Sequence, residues 1–220
     1  MTSILRSSLL LGLITTSVAE AQSYVINFDS LRSGNEANLA APSGVRFSEG
    51  TFSPNLDSNG DAILNSNRWR TADLAQSILV SNPADYGRGL APSGALALDS
   101  VFQPTLLRFS SPQDLQTFSI TLDRDPLGES VSTINFYSVG IDSNSLLGSI
   151  SVNQTIPGFI GSLSSPLKGV DMIVLPSGAL YDNISFSGSA VPEPAESALA
   201  ALGLCSWGLW AFVRRRLSNQ

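Results

Sequence analysis

Residues 115–122 read Leu-Gln-Thr-Phe-Ser-Ile-Thr-Leu. From 117 onward, Thr and Ser occupy the odd positions, and Phe118, Ile120 and Leu122 occupy the even ones. Successive side chains of an extended strand point to opposite faces, so this alternation predicts a β-strand with one buried face and one polar face.

The same period of two recurs from residue 24 to residue 188, in short segments separated by Gly, Pro, Asn, Asp and Ser. No stretch of useful length has the spacing of an amphipathic helix, so the pattern predicts an all-β domain. Asp and Ser residues at 142–145 predict the turn of one hairpin. The predicted strands are Tyr24–Phe28, Val45–Ser48, Ala62–Leu64, Ser77–Val80, Ala95–Asp99, Leu106–Phe109, Thr117–Leu122, Thr133–Val139, Leu146–Val152, Val170–Leu175 and Asn183–Ser187.

About ten strands, an early Phe28-Asp29 and a late Asp182-Asn183-Ile184-Ser185-Phe186 resemble the jelly-roll sandwiches of exported bacterial proteins and carbohydrate-binding modules. The resemblance implies a single jelly-roll-like β-sandwich over residues 22–190. It implies no particular function, because sandwiches recur with many functions.

The C-terminal thirty residues have three parts in order. Val191-Pro192-Glu193-Pro194 is a stiff spacer, since each proline lacks an amide donor and restricts the residue before it. The run from Ala198 to Val213 has no charge, and as a helix it is about 24 Å long, short of the roughly 30 Å hydrocarbon core. Arg214, Arg215 and Arg216 follow it and can snorkel to the membrane surface. The sequence therefore predicts a transmembrane helix over 198–213 with the upstream domain outside the inner membrane, and a short core helix is the alternative.

This layout resembles the PEP-CTERM sorting signal of Gram-negative bacteria that make extracellular polysaccharide. The signal is handled by a membrane protease, exosortase, so the resemblance implies cleavage near the Val191–Pro194 box. The released domain would then pass to the cell envelope or the extracellular matrix.

The N-terminus predicts export. Arg6 precedes an apolar stretch from Leu9 to Ile14, and Ala19-Glu20-Ala21 has the small-x-small pattern that signal peptidase recognises. Residues 1–21 are therefore a predicted signal peptide with a helical apolar segment, and Gln22 is the predicted first residue of the mature chain.

Composition excludes several functions. The chain has no His, which excludes Ser-His-Asp and Cys-His catalysis and the usual His-containing zinc or iron sites. The one Cys, Cys205, lies in the apolar tail, so the domain has no disulfide. The net charge of −6 makes nucleic acid an improbable partner.

Two places carry oxygen ligands for calcium. Asp29 follows the first strand and Asp182 begins the last one, so antiparallel pairing would bring them near each other, although a bulge is needed to align their side chains. Turn or cap carboxylates are the favoured interpretation of both. Asp57-Ser58-Asn59-Gly60-Asp61 also alternates oxygen ligands, but it departs from the EF-hand pattern and is better explained as a polar turn.

Two further groups of residues have side chains suited to carbohydrate chemistry. Asp123, Asp125 and Glu129 could form a hydrolytic carboxylate pair, but their sequence is typical of a strand leading into a turn. Trp69, between Arg68 and Arg70, could stack on a sugar ring, and a partly buried loop anchor is the favoured alternative.

The leading hypothesis is a non-enzymatic structural or adhesive sandwich, exported and sorted by exosortase. The alternative is a carbohydrate-binding module that uses Trp69 and is stabilised by calcium. A glycoside hydrolase or lyase is the least favoured.

Overall fold

The computed structural model describes residues 21–54, 68–72, 78–82, 96–124, 131–140, 144–153 and 158–190. Within these ranges the chain forms eleven strands and one short 3-10 helix, Ala37–Leu39. The strands are β1 Gln22–Ile26, β2 Val45–Ser53, β3 Arg68–Thr71, β4 Val80–Ser81, β5 Ala97–Ser100, β6 Thr105–Arg124, β7 Val131–Val139, β8 Asn144–Asn153, β9 Phe159–Ser162, β10 Leu167–Leu175 and β11 Ala179–Ala190.

Strand β6 is the central strand of the fold and pairs with β2, β9, β10 and β11. Its first part, from Thr105 to Phe109, pairs with β2, whereas its second part, from Gln113 onward, pairs with β11. Pro112 lies at this change of partner. A proline has no backbone N–H to donate, so it is tolerated where the ladder of hydrogen bonds already changes from one strand to another. The two strands predicted at 106–109 and 117–122 are therefore one continuous strand of 20 residues.

The pairings build two layers that share β6. The first layer has the order β3-β2-β6-β10-β7-β8, and the second has the order β4-β5-β11-β6-β9, with β1 also paired to β11. Each of these pairs is antiparallel. The main core lies between the layers, because buried side chains of both contribute to one cluster, among them Leu107, Phe136 and Ile173 of the first and Ile120 and Ile184 of the second.

The first layer also has a covered outer face. Leu106, Met172 and Val174 alternate with core residues of β6 and β10, and they are buried in a second cluster beneath Trp69 and Tyr137. Strand β3 carries Trp69 over this face, and the side-chain amide of Asn144 donates a 2.8 Å hydrogen bond to the Trp69 carbonyl. Strands β6 and β10 therefore bury apolar side chains on both faces.

The all-β sandwich predicted from the sequence is confirmed. The predicted hairpin is present as β7 and β8, which pair from Val131↔Asn153 to Val139↔Asn144. The predicted signal and transmembrane helices and the strand at 62–64 lie outside the described residues. In the ranges that the structure covers, no helix is long and apolar enough to cross a membrane.

Strands β3 and β9 were not predicted. The sequence of β3, Arg-Trp-Arg-Thr, shows no alternation of apolar and polar residues. Its pairing with β2, and not burial of alternate side chains in the main core, keeps this segment extended. In β9, Gly161 occupies the inward position, where an added Cβ would lie 3.1 Å from Val152 and 3.3 Å from Ile150. Because β9 packs closely against β8, a glycine occupies the inward position where other strands have a large apolar residue, and the apolar signal of a strand is missing.

Candidate functional site

A pocket of about 300 Å³ opens where β6 passes from one layer to the other. Its walls come from the start of β1, the loop before β2, the middle of β6 and the end of β11. The side chains around it are three aromatic rings and five amides or hydroxyls, together with Val45 and the backbone of two glycines. The rings are Tyr24, Phe109 and Phe186, and the polar residues are Gln22, Ser43, Ser110, Ser111 and Gln113.

The three rings form one packed group. Phe186 is only 3% exposed. Tyr24 lies against it with ring centroids 5.1 Å apart, and Phe109 meets it edge-on at 5.4 Å and 74°. Tyr24 and Phe109 are partly exposed. Phe186 thus supports two rings that a ligand can touch.

The polar side chains are uncharged, and Gln22, Ser111 and Gln113 take part in local hydrogen bonds. The side-chain amide of Gln113 donates to the Ser111 carbonyl at 3.0 Å and approaches the Ser111 hydroxyl at 3.3 Å. The Tyr24 hydroxyl donates to the side-chain oxygen of Gln22. Amides and hydroxyls both donate and accept, so this rim can match a ligand that is rich in hydroxyl groups.

Two glycines allow the strands to meet at the pocket. Gly44 has a φ of +82°, and a Cβ there would lie 3.0 Å from the Ser110 hydroxyl oxygen. The Gly44 carbonyl accepts a 2.8 Å hydrogen bond from the Ser110 amide. A Cβ on Gly188 would lie 3.1 Å from the Asp114 carbonyl oxygen. Larger residues at either position would displace the wall.

The described lining of the pocket consists of aromatic rings and uncharged polar side chains. Among the described residues, no Asp, Glu, Lys or Arg lines it. In the part of the chain that the structure describes, no three His, Cys, Asp or Glu side chains come together to hold a metal ion. An apolar wall with a few directed polar groups is the usual composition of a small-ligand site.

Trp69 lies away from this pocket, on the outer face of the first layer. Its ring is partly buried over the cluster of Leu106, Met172 and Val174, and its centroid is 5.3 Å from that of Phe52. These contacts fit an anchor that fastens β3 to the sheet. Sugar stacking by Trp69 stays a prediction.

Of the two calcium candidates, Asp29 follows the end of β1, and Asp182 lies within β11 and not at its start, where the sequence placed it. Strands β1 and β11 are antiparallel, with Ile26 opposite Ile184, as that prediction required. A register shift separates Asp182 from Ser185, and Asn183 between them has a φ of +47°. Asp182 is fully buried and Asp29 is exposed. Both have interaction partners, and calcium binding here stays a prediction.

Several other predicted sites lie outside the described residues. They are the loop Asp57–Asp61, the carboxylates Asp125 and Glu129, the sorting residues Val191–Pro194 and Arg214–Arg216, and Ala19 of the cleavage motif. Of the remaining members, Asp123 is on β6 opposite Leu180, Ala21 directly precedes β1, and Gln22 begins it.

The pocket residues were not predicted as a site. Their one sequence signal is Ser110-Ser111-Pro112-Gln113, a polar interruption between two apolar strand segments. In isolation this segment is typical of a turn. Only the change of partner along β6, from β2 to β11, brings it beside Tyr24 and Phe186.

Comparisons with known proteins show similarity in fold alone. No family model matches the chain, and no curated protein matches it. Among solved structures it is similar to a carbohydrate-binding module of family 29, with 12% identity, a TM-score of 0.32, and coverage of 80% of this chain and 97% of that one. It is also similar to a mutant of the module CBM29-2 complexed with cellulohexaose, with 13% identity, a TM-score of 0.32, and coverage of 76% and 91%. Similarity at this level assigns neither a family nor a ligand.

Proposed function

We propose that this chain is an exported, non-enzymatic β-sandwich protein that binds a neutral saccharide in the pocket between its layers. The observation that carries the proposal is the pocket itself, where two partly exposed rings face five uncharged amide or hydroxyl side chains. The apolar face of a sugar ring suits an aromatic wall, and sugar hydroxyls suit groups that both donate and accept.

The size of the pocket limits the ligand. A volume of about 300 Å³ is at the lower end for small-ligand sites. A single sugar ring or the end of a chain is therefore a better match than a long segment of polymer. The proposed jelly-roll-like sandwich would then contact its polysaccharide through individual units.

The location of the protein completes the proposal. The Val191–Pro194 box, the apolar segment and Arg214–Arg216 support sorting by exosortase after removal of the signal peptide by signal peptidase. Sorting would bring the domain to the cell envelope or the extracellular matrix, where polysaccharide is abundant. Saccharide binding there gives the structural or adhesive role a physical basis.

We expect Tyr24→Ala to weaken saccharide binding about tenfold, because an aromatic contact contributes roughly 0.5–1.5 kcal/mol beyond area burial. Gln113→Ala should weaken binding about three- to tenfold through loss of a hydrogen bond. The measurement is a glycan array with the full-length protein in mild detergent, followed by titration calorimetry of the saccharides that bind.

Matched variants separate the pocket from other surfaces. Tyr24→Phe keeps the ring, so it should retain most of the affinity. Phe102→Ala removes an aromatic ring that is 78% exposed and outside the pocket, and it should bind as the wild type does. If Trp69→Ala abolished binding while Tyr24→Ala and Gln113→Ala kept it, the saccharide site would be on the outer face and the pocket proposal would fail.

We expect intact-mass spectrometry to show that the protein recovered from native cells and culture matrix begins at Gln22 and ends near Pro194. Signal peptidase and exosortase cleavage would together produce this species. A strain that lacks the sorting protease should retain Arg214–Arg216 in the mass. A wild-type mass that still included Gln220 would mean a permanent membrane anchor and would remove the sorting proposal.

A further inference from the structure

Two arginines face each other on the outer side of the first layer. Arg46 of β2 is the register partner of Arg108 of β6, and Met172 of β10 is opposite Arg108 on its other side. Like charges directly opposite each other on neighbouring strands repel. Neither guanidinium lies within ion-pair distance of a carboxylate in the ranges that the structure describes. Among the described residues, the two positive charges are thus brought together without a carboxylate partner.

Arg108 is the less solvated of the two. Its Nε atom is buried and has no hydrogen-bond partner within the described chain. Burial and the nearby charge of Arg68 both lower the pKa of Arg108. A buried donor without an acceptor is unfavourable, and a guanidinium stays charged at any physiological pH. An unpaired arginine in this position is explained if an external anion supplies the missing acceptor.

Aromatic residues continue from the arginines across the sheet. The register runs from Arg46 and Arg108 through Met172 to Tyr137, and then to Leu146, which is 58% exposed. Trp69 packs beside Met172 and Tyr137. A ligand bound at the arginines would therefore have an apolar, partly aromatic surface next to it.

We propose that this face binds an oxyanion group, a carboxylate or a sulfate, of an acidic polysaccharide, with Arg46 and Arg108 as its direct partners. The planar guanidinium donates two parallel hydrogen bonds to such a group. The net charge of the chain is −6, so diffuse attraction does not favour a polyanion and the recognition must be local. The site is distinct from the neutral pocket, because it occupies the opposite face of β2 and β6, and it stands without that pocket.

The test uses the full-length protein in mild detergent at about 0.15 M salt, where long-range charge effects are screened beyond roughly 8 Å. Polygalacturonate supplies carboxylates, dextran sulfate supplies sulfates, and dextran is the uncharged control. The variants are Arg46→Gln, Arg108→Met and, as a matched exposed arginine outside the site, Arg32→Gln.

We expect at least one acidic polymer to bind more tightly than dextran, and the polymer that binds identifies the preferred oxyanion. Arg46→Gln and Arg108→Met should each weaken that binding at least tenfold, whereas Arg32→Gln and Phe102→Ala, both at exposed residues outside either site, should leave it unchanged. Arg108→Met should also raise the melting temperature without polymer, since it removes a buried Nε donor that has no acceptor among the described residues.

Three outcomes would overturn the proposal: neither polymer binds better than dextran, both site variants keep the wild-type affinity, or Arg32→Gln weakens binding as much as they do. Arg46 is exposed, so Arg46→Gln is informative even if Arg108→Met does not fold. Loss of polymer binding in Tyr24→Ala as well as in the arginine variants would mean a single pocket-centred site and would also count against a second surface.

Discussion

Phe136→Ala should destabilise the protein by about 3–5 kcal/mol, a large part of the roughly 5–15 kcal/mol that stabilises an ordinary domain. Phe136 is on β7 in the first layer and is fully buried. Its ring meets Phe118, on the second-layer part of β6, edge-on with centroids 5.1 Å apart at 86°. Removal of the ring therefore leaves a cavity between the two layers.

Urea unfolding of the two single variants and the double variant measures this contact. Phe118→Ala should cost a similar amount, and the coupling free energy of the pair should be about 0.5–1.5 kcal/mol, as expected for an edge-to-face contact. Phe102→Ala, at a 78% exposed ring, should change stability by less than about 0.5 kcal/mol. Strict additivity of Phe118→Ala and Phe136→Ala would contradict the face-to-face packing of the layers.

Above about pH 10, the wild type should lose stability more steeply than Tyr181→Phe. Tyr181 is fully buried, and burial raises the pKa of its phenol well above the usual value. The unfolded chain loses the phenolic proton near pH 10 while the folded chain keeps it, so the stability supplied by the neutral phenol is lost as the pH rises. The slope from this one group is about −1.4 kcal/mol per pH unit.

The same substitution has the opposite sign at neutral pH. The Tyr181 hydroxyl donates a 2.7 Å hydrogen bond to the Pro176 carbonyl. Tyr181→Phe leaves that acceptor without its donor, so it should cost about 1 kcal/mol near pH 7. Unfolding free energies of the two proteins, measured from neutral to alkaline pH, should therefore cross above pH 10. Parallel curves would show that the phenol is solvated in the folded protein.

The fold class was predictable because apolar and polar residues alternate along the strands that form the core of this sandwich. Phe118, Ile120 and Leu122 are all buried, as their alternation predicted. The extent of β6 was not predictable, since Ser110-Ser111-Pro112 has the composition of a turn and only the partner strands keep it extended. Burial on both faces of β6 and β10 likewise depends on Trp69, which comes from another part of the chain.

The candidate sites were harder to predict, because each of their residues, taken alone, fits a common strand pattern and carries no functional signal. Tyr24, Phe109 and Phe186 each fit a core pattern, and they line one pocket only because β6 changes partner from β2 to β11 beside them. Arg46 and Arg108 are typical strand-surface residues until the register places them opposite each other. Trp69, the sequence candidate for sugar stacking, packs over Leu106 and Met172, which gives it a structural explanation.

The central claim is that a saccharide binds between the layers at Tyr24 and Phe109. The most direct measurement is a crystal structure of the protein with an oligosaccharide selected on the glycan array. We expect a sugar ring against Tyr24 and Phe109, with its hydroxyls hydrogen-bonded to Gln113 or Gln22. A sugar bound over Trp69 and Tyr137 with nothing in the pocket would contradict it.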